Sequence, residues 1–337
     1  VHTIDDEPFD AAAVESGAWP PPYGPGDTLG TYAEVTPVRR SAALARAAGR
    51  GTAARPVALG ETLFPGYPAF GTRSFALQLW GSGFDAPPGV HAERPTPWGP
   101  NRLTSLEERV QFTFNMGAKI NGLAHCGVGD VLYGGRSLRA EVASGARALD
   151  TTTWGPPLVT RGVLFDVLGW CVATGRSGSL SSTPDGQPIL RDHLRITVED
   201  LEACAAWAGL PALEPGDAVL LRTGWRRLLR SDPQRYLSGN PGVYLRETRW
   251  LAQFRPALVG ADTWCFETTD ATVTGRYRMP CHQELFVRFG IRLGESLALD
   301  ELAGALHAER LSQFVFCHTP LEAEGAVASS APALAIV

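Results

Sequence analysis

Apolar residues in this chain fall into short continuous runs divided by turn-forming residues, which predicts buried strands alternating with helices. Four runs read as strands: Arg161 to Leu168, the stretch after the Gly216-Asp217 turn to Thr223, Pro256 to Asp262, and Ser312 to Cys317. Two segments carry helix-start signals. Thr36-Pro37 puts an N-cap residue before a proline at the first helical position, and predicts a helix to about Ala48. Thr197 with Asp200 three residues later forms a variant capping box, opening a helix through Leu201 to Ala208. Residues 1–35 hold the Pro20-Pro21-Pro22-Tyr23-Gly24-Pro25-Gly26 run and predict a mostly extended arm. Residues 60–100, rich in Gly, Pro and aromatics, predict loops and short strands, and Gly175 to Gly186 a surface loop. No repeat or linker divides the rest. The expected organisation is an arm over 1–35 and one α/β domain over 36–337.

Composition narrows the class. The chain has 337 residues, 44% hydrophobic and 19% charged, enough apolar material for a real core. A net charge of -5 argues against a nucleic-acid or anionic-membrane partner, either of which would need a basic face. No apolar run approaches the length of a membrane span. The acidic start, Val1-His2-Thr3-Ile4-Asp5-Asp6-Glu7, lacks an apolar export core, so a cytoplasmic protein is expected. The six cysteines are scattered singly, which suggests reduced thiols rather than a disulfide frame or zinc knuckle.

One residue type changes the picture. Lysine occurs once, as Lys119, among 30 basic residues that are otherwise all arginine. Where arginine so dominates, a surviving lysine marks a place for a compact ammonium that a planar guanidinium cannot fill. It lies in Asn115-Met116-Gly117-Ala118-Lys119-Ile120-Asn121-Gly122-Leu123-Ala124-His125. A chance lysine in a loop is the competing reading.

The chain resembles the metal-dependent cyclase and kynurenine-formamidase-like hydrolases. The likeness is carried in order by Gly26 to Gly30 with Thr36-Pro37, Ile120 to His125 with Gly127 to Asp130 and Tyr133-Gly134-Gly135, and Arg161 to Asp166. It continues through Thr197 to Glu202, Gly216-Asp217 to Trp225, Pro241-Gly242, Gly260 to Trp264, Pro280-Cys281-His282-Gln283, Gly294-Glu295 and Pro320-Leu321. The resemblance implies a layered α/β/β fold of the swivelling β/β/α type, with subunits paired as a homodimer or homotetramer. It also implies a site. The family's motif is His-x-Gly-Thr-His(or Gln)-x-Asp-x-x-x-His, whose first His, second His or Gln, and Asp reach a divalent metal, while the last His is an acid/base. A later His and Glu complete the set.

Here Asn115, Lys119 and Asn121 stand at the three metal-ligand positions, while His125, His282 and Glu295 remain. Amides are poor ligands for zinc or manganese, and an ammonium is none. The expectation is therefore no metal and no cofactor. Lys119, His125, His282 and Glu295 are the candidate catalytic residues. Asn115, Asn121, Phe64 and Trp80 are candidates for holding substrate. A divalent cation beside one aspartate leaves +1, and lysine beside asparagine leaves the same, so Lys119 could stand in the metal's space and polarise a carbonyl. An imine-forming lysine needs an uncharged amine, which Glu295 would oppose. The expected substrate is a small cyclic or cyclisable carbonyl compound (polyketide, lactone or amide) of specialised metabolism. A metal-dependent amide or lactone hydrolase and a non-catalytic ligand-binding pseudoenzyme stay open as alternatives. His282 with Glu295 could equally be a structural hydrogen bond, and Phe64 and Trp80 ordinary packing.

Overall fold

The predicted apolar runs form the centre of a nine-stranded sheet in a computed structural model that describes residues 4–48, 54–82, 90–94 and 97–337. In chain order the strands are β1 (Pro56–Ala58), β2 (Lys119–Asn121), β3 (Leu158–Phe165), β4 (Ala218–Leu221), β5 (Leu258–Ala261), β6 (Arg292–Glu295), β7 (Phe314–His318), β8 (Ala328–Ser329) and β9 (Leu334–Ile336). Their spatial order is β1-β9-β7-β3-β4-β5-β6-β2-β8. The middle four run parallel, and antiparallel strands close both sides. Parallel strands need cover on both faces, and the side-chain alternation supplies it. On β4, Val219 and Leu221 enter one hydrophobic core while Ala218 and Leu220 enter another. On β3 and β5 the same split sends Val163, Phe165 and Val259 to the first core and Leu164 and Leu258 to the second. The mixed α/β fold expected from the sequence is the fold observed.

The helix α1 (Pro37–Ala48) starts as its signals predicted, with the Arg39 amide donating to Thr36 Oγ1 at 3.3 Å. In α3 (Val198–Ala208) both capping-box bonds form: Asp200 N to Thr197 Oγ1 at 3.2 Å and Thr197 N to Asp200 Oδ2 at 3.1 Å. One boundary differs from expectation. The strand read through Leu168 ends at Phe165, and Val167 and Leu168 begin α2 (Val167–Ala173). Asp166 accepts the Gly169 amide at 2.9 Å, and this N-cap turns an apolar run that hydropathy alone reads as strand. Ser177 to Ser182, within the expected surface loop, form a helical turn and a strand paired to Pro188–Leu190.

The contact pattern divides the chain into two units, residues 1–61 with 117–337, and residues 62–116. The second unit has a three-stranded sheet in which Phe75–Ser82 lies between Val90–Arg94 and Ser105–Phe112. An eight-residue strand is longer than the Gly- and Pro-rich composition of this region predicted; it pairs in unbroken register with Ser105–Phe112, while its register with Val90–Arg94 shifts at Gly81/Ser82.

The N-terminal segment is not a bare extended arm. Ala11–Glu15 is helical, capped by Asp10, and its Val14 forms a small core with Val128 and Val287, against which Phe9 and Trp19 pack. Asp6 accepts two bonds from Arg195 at 2.8 and 2.9 Å. Gly30 begins a second helical turn with φ 58, and a Cβ built on it would lie 2.1 Å from the Gly290 carbonyl oxygen. Replacing it with alanine therefore adds both a left-handed side chain and a backbone clash. Gly30→Ala is expected to lower the unfolding free energy by about 1–3 kcal/mol, read by urea denaturation. Wild-type stability in this variant would remove the close approach. Among the described residues no helix is long and apolar enough to cross a membrane.

Candidate active site

Strand geometry brings the candidate residues together. Lys119 and Asn121 are two apart on β2, so they share a face, while Ile120 between them enters the second core. In the antiparallel β2–β6 ladder Lys119 lies directly opposite Glu295, and Asn121 opposite Leu293. Cross-strand partners on one face meet side chain to side chain. The Lys119 ammonium lies 2.9 Å from Glu295 Oε2, and Asn121 Nδ2 donates to the same oxygen at 2.8 Å. The other oxygen, Oε1, faces His282 Nε2 at 3.1 Å. All four residues are buried, with Lys119 only 4% exposed.

His282 comes from a short helix, Pro280–Gln283, entered through Met279 in the left-handed conformation and continued by a π-helical turn, Glu284–Arg288. Glu267 holds this helix end. It accepts the backbone amides of Cys281 and His282, each at 3.2 Å, and faces His282 Nδ1 at 2.6 Å. An imidazole bonded through both nitrogens to two carboxylates is satisfied as the cation, which donates twice. Burial pushes the His282 pKa down, but its hydrogen bonds to Glu267 and Glu295 prevail and raise it to about 9. Burial raises the Glu295 carboxyl, yet the Lys119 ammonium and His282 hold it well below the usual carboxylate range. The cluster is thus two cations interleaved with two carboxylates.

These shifts have a sign in stability. A raised His282 pKa contributes stability that is full below about 6.5 and is lost as pH climbs to about 9. A depressed Glu295 pKa contributes stability present above 4.5 and lost as pH falls through its folded value. The expected result is maximal resistance to urea between these limits and a decline from pH 7 to 9. His282→Gln should flatten that alkaline decline. An unchanged slope in the variant would assign the titration elsewhere.

His125 lies on the loop that follows β2. A turn closed by its amide donating to the Gly122 carbonyl at 3.0 Å follows β2, and the side chain is half-buried. Its ring meets Phe286 edge-on at 6.1 Å between centroids, and His282 meets the same Phe286 at 5.9 Å. Gln283 Nε2 donates to the Gly127 carbonyl at 2.9 Å, tying the His282 helix to the His125 loop. Cys126 packs against the first core; burial, Glu295 and Glu267 push its thiol up to about 12, so it is no thiolate nucleophile. Asn115, Phe64 and Trp80 belong to the second unit. There Phe64 packs on Tyr67 at 5.3 Å, and the Arg109 guanidinium lies 4.7 Å from the Trp80 ring.

Two partners escaped the sequence reading. Glu267 and Phe286 carry no motif, although Glu267 follows the Gly260 to Trp264 match by only three residues. Asp262 holds a turn: it accepts from the Thr223 and Gly224 backbone amides at 2.9 and 2.7 Å.

The donor set does not suit a divalent cation at the motif positions. Both Glu295 oxygens are engaged, and an ammonium stands 2.9 Å from one of them. Among the described residues, Cys265, Glu267 and His282 alone form a group with metal-ligand atoms within 4.8 Å of one another. In this arrangement His282 Nδ1 is bonded to Glu267 and Nε2 to Glu295.

The model of a family described as Putative cyclase matches residues 57–268. A solved structure described as a novel cyclase is 24% identical, with a TM-score of 0.75 over 93% of this chain and 97% of its own. Isatin hydrolase A from Ralstonia solanacearum is 20% identical, with a TM-score of 0.60 over 88% and 97%. Isatin hydrolase A from Labrenzia aggregata, bound to benzyl benzoate, is 18% identical, with a TM-score of 0.57 over 88% and 98%. No curated protein matches the sequence.

Proposed function

The chain belongs to the cyclase family, an enzyme of cyclase or hydrolase type, and from that premise we propose a metal-independent member acting on a small cyclic or cyclisable carbonyl compound. One observation carries the reading: the Lys119 ammonium, 2.9 Å from Glu295, stands where the family's motif places a metal ligand. A fixed cation in a dry site stabilises charge developing on a carbonyl oxygen, at no reorganisation cost during reaction. Glu295 holds the ammonium in place; Asn121 and His282 hold Glu295, and Glu267 holds His282. His125, half-buried beside Phe286, is the group placed to move a proton to or from substrate. Water attack assisted by a metal is not part of this arrangement, so ring closure, elimination or isomerisation and base-assisted ring opening are the fitting steps.

Lactone, cyclic amide and polyketide-like substrates share the polarised carbonyl this site would take. The solved isatin hydrolases favour trying a cyclic amide first. The test is a panel of cyclic amides and lactones assayed before and after exhaustive dialysis against chelator. Turnover unchanged by chelator supports the reading, and turnover lost with chelator and restored by manganese or zinc supports the metal-dependent hydrolase instead. A homodimer or homotetramer rests on family resemblance, because residues 4–35 pack on their own chain. A monomer mass by light scattering at micromolar concentration would remove it.

A further inference from the structure

A hollow of about 350 Å³, partly open to solvent, lies where α3 and the helix Asp300–Glu309 end beside β3. Its walls are apolar. Leu164 and Leu306 are buried side chains of the second core, and Leu311 packs on the same core. Trp207 also lines the hollow and is 37% exposed, with its ring at a steep angle to His307, 5.5 Å between centroids. The one acid among the lining residues, Asp166, is committed already. One of its oxygens accepts from the Gly169 amide at 2.9 Å and from Arg222 at 2.7 Å, and the other faces His307 Nε2 at 3.2 Å. Three lining residues keep donors in reserve. Among the described residues the Arg310 guanidinium, the Ser312 hydroxyl and the Trp207 Nε1 have no protein acceptor. In the sheet, β4 and β5 separate β3 from the β6–β2 pair that carries Glu295 and Lys119, so the hollow is a second place and no extension of the first.

Arg310 is held there against its backbone preference. It ends its helix with φ 54 and ψ 44, the left-handed conformation that glycine or asparagine adopts most readily, and α3 ends on Gly209 in that same conformation. A strained residue beside a cavity points to a task for its side chain. Two helix C-termini would by themselves favour a cation, but cap bonds occupy their carbonyls. The Leu311 amide donates to the Leu306 carbonyl at 2.8 Å, the Arg310 amide to the His307 carbonyl at 3.2 Å, and the Leu210 amide to the Ala205 carbonyl at 2.9 Å. What the hollow still offers is a full positive charge, two neutral donors and an apolar floor. We propose that it binds a small aromatic monocarboxylate, its ring among Trp207, Leu306 and Leu311 and its carboxylate on Arg310 and Ser312. Guanidinium and carboxylate match as a two-point pair, and the volume suits a ligand of one or two rings. The proposal does not rest on the chemistry assigned to Lys119.

The test is calorimetric titration of the full chain at neutral pH with indole-3-carboxylate and with its uncharged amide, indole-3-carboxamide. The acid should bind saturably, one per chain, and about tenfold or more tightly than the amide, as one charge-assisted pair implies. Arg310→Gly removes the guanidinium and suits the left-handed backbone better, so this variant should melt no lower than wild type. It should nevertheless bind the acid about tenfold or more weakly, and no more tightly than the amide. Trp207→Ala should weaken acid and amide alike, and Lys119→Met should bind the acid as wild type does. No saturable binding of the acid, equal affinity for acid and amide, or undiminished binding in Arg310→Gly would each overturn the proposal. So would binding lost in Lys119→Met, which would place the ligand at the candidate active site.

Discussion

Lys119→Met is expected to reduce turnover by about 10²–10³-fold while leaving the circular dichroism spectrum unchanged. That magnitude is typical of losing one preorganised electrostatic contact to a developing oxyanion. Methionine has nearly the length of lysine and no charge, so the change isolates the ammonium. After it, Glu295 keeps Asn121 on Oε2 and His282 on Oε1, so the cluster stays mostly satisfied. Lys119→Arg is expected to fail almost as badly. A guanidinium is planar and bulkier, and it cannot place one compact charge 2.9 Å from Glu295 between two strands in register. His125→Ala should lower kcat comparably if His125 moves the proton. Full turnover in Lys119→Met would leave the rearranged hydrolase as the remaining catalytic reading.

The largest stability effect is expected at Glu295. This carboxylate receives the Lys119 ammonium, the Asn121 amide and His282, all buried. Glu295→Ala strands the buried Lys119 ammonium and leaves His282 with Glu267 alone, and removing one partner of a buried pair typically costs about 3–5 kcal/mol. Glu295→Gln keeps one acceptor oxygen and should cost less. The pair Lys119→Met with Glu295→Gln removes both charges together, so the double variant should be more stable than the sum of the single losses predicts. Urea unfolding at pH 6 of the four proteins measures this coupling. Strict additivity would show that Lys119 and Glu295 do not depend on each other.

Much of the frame was readable because its signals are local. Thr36 and Thr197 announce their helices within three residues, and β4, β5 and β7 are short apolar runs with turn residues before them. Lys119, Asn121, His282 and Glu295 were readable as a set through the order of the family's motifs, and the β2–β6 register explains why residues 174 apart in sequence meet. Their roles in turnover are not decided by proximity. Glu267 was not readable: it acts across 15 residues, on a helix end formed only in the folded chain. The arm was misjudged for a related reason. Proline-rich composition describes Pro20 to Pro25 well, but Val14 and Tyr32 gain their burial from distant partners such as Val287 and Arg292. The end of β3 was missed because Asp166 interrupts an apolar run with an N-cap, and hydropathy does not register a hydrogen bond.

The central claim is that an ammonium stands in place of a metal. Elemental analysis by plasma mass spectrometry, on active protein purified without chelator, tests it most directly. The account predicts only trace zinc, manganese and iron per chain, with turnover retained. One equivalent of a transition metal per chain, removed together with activity and restored with it, would contradict the account.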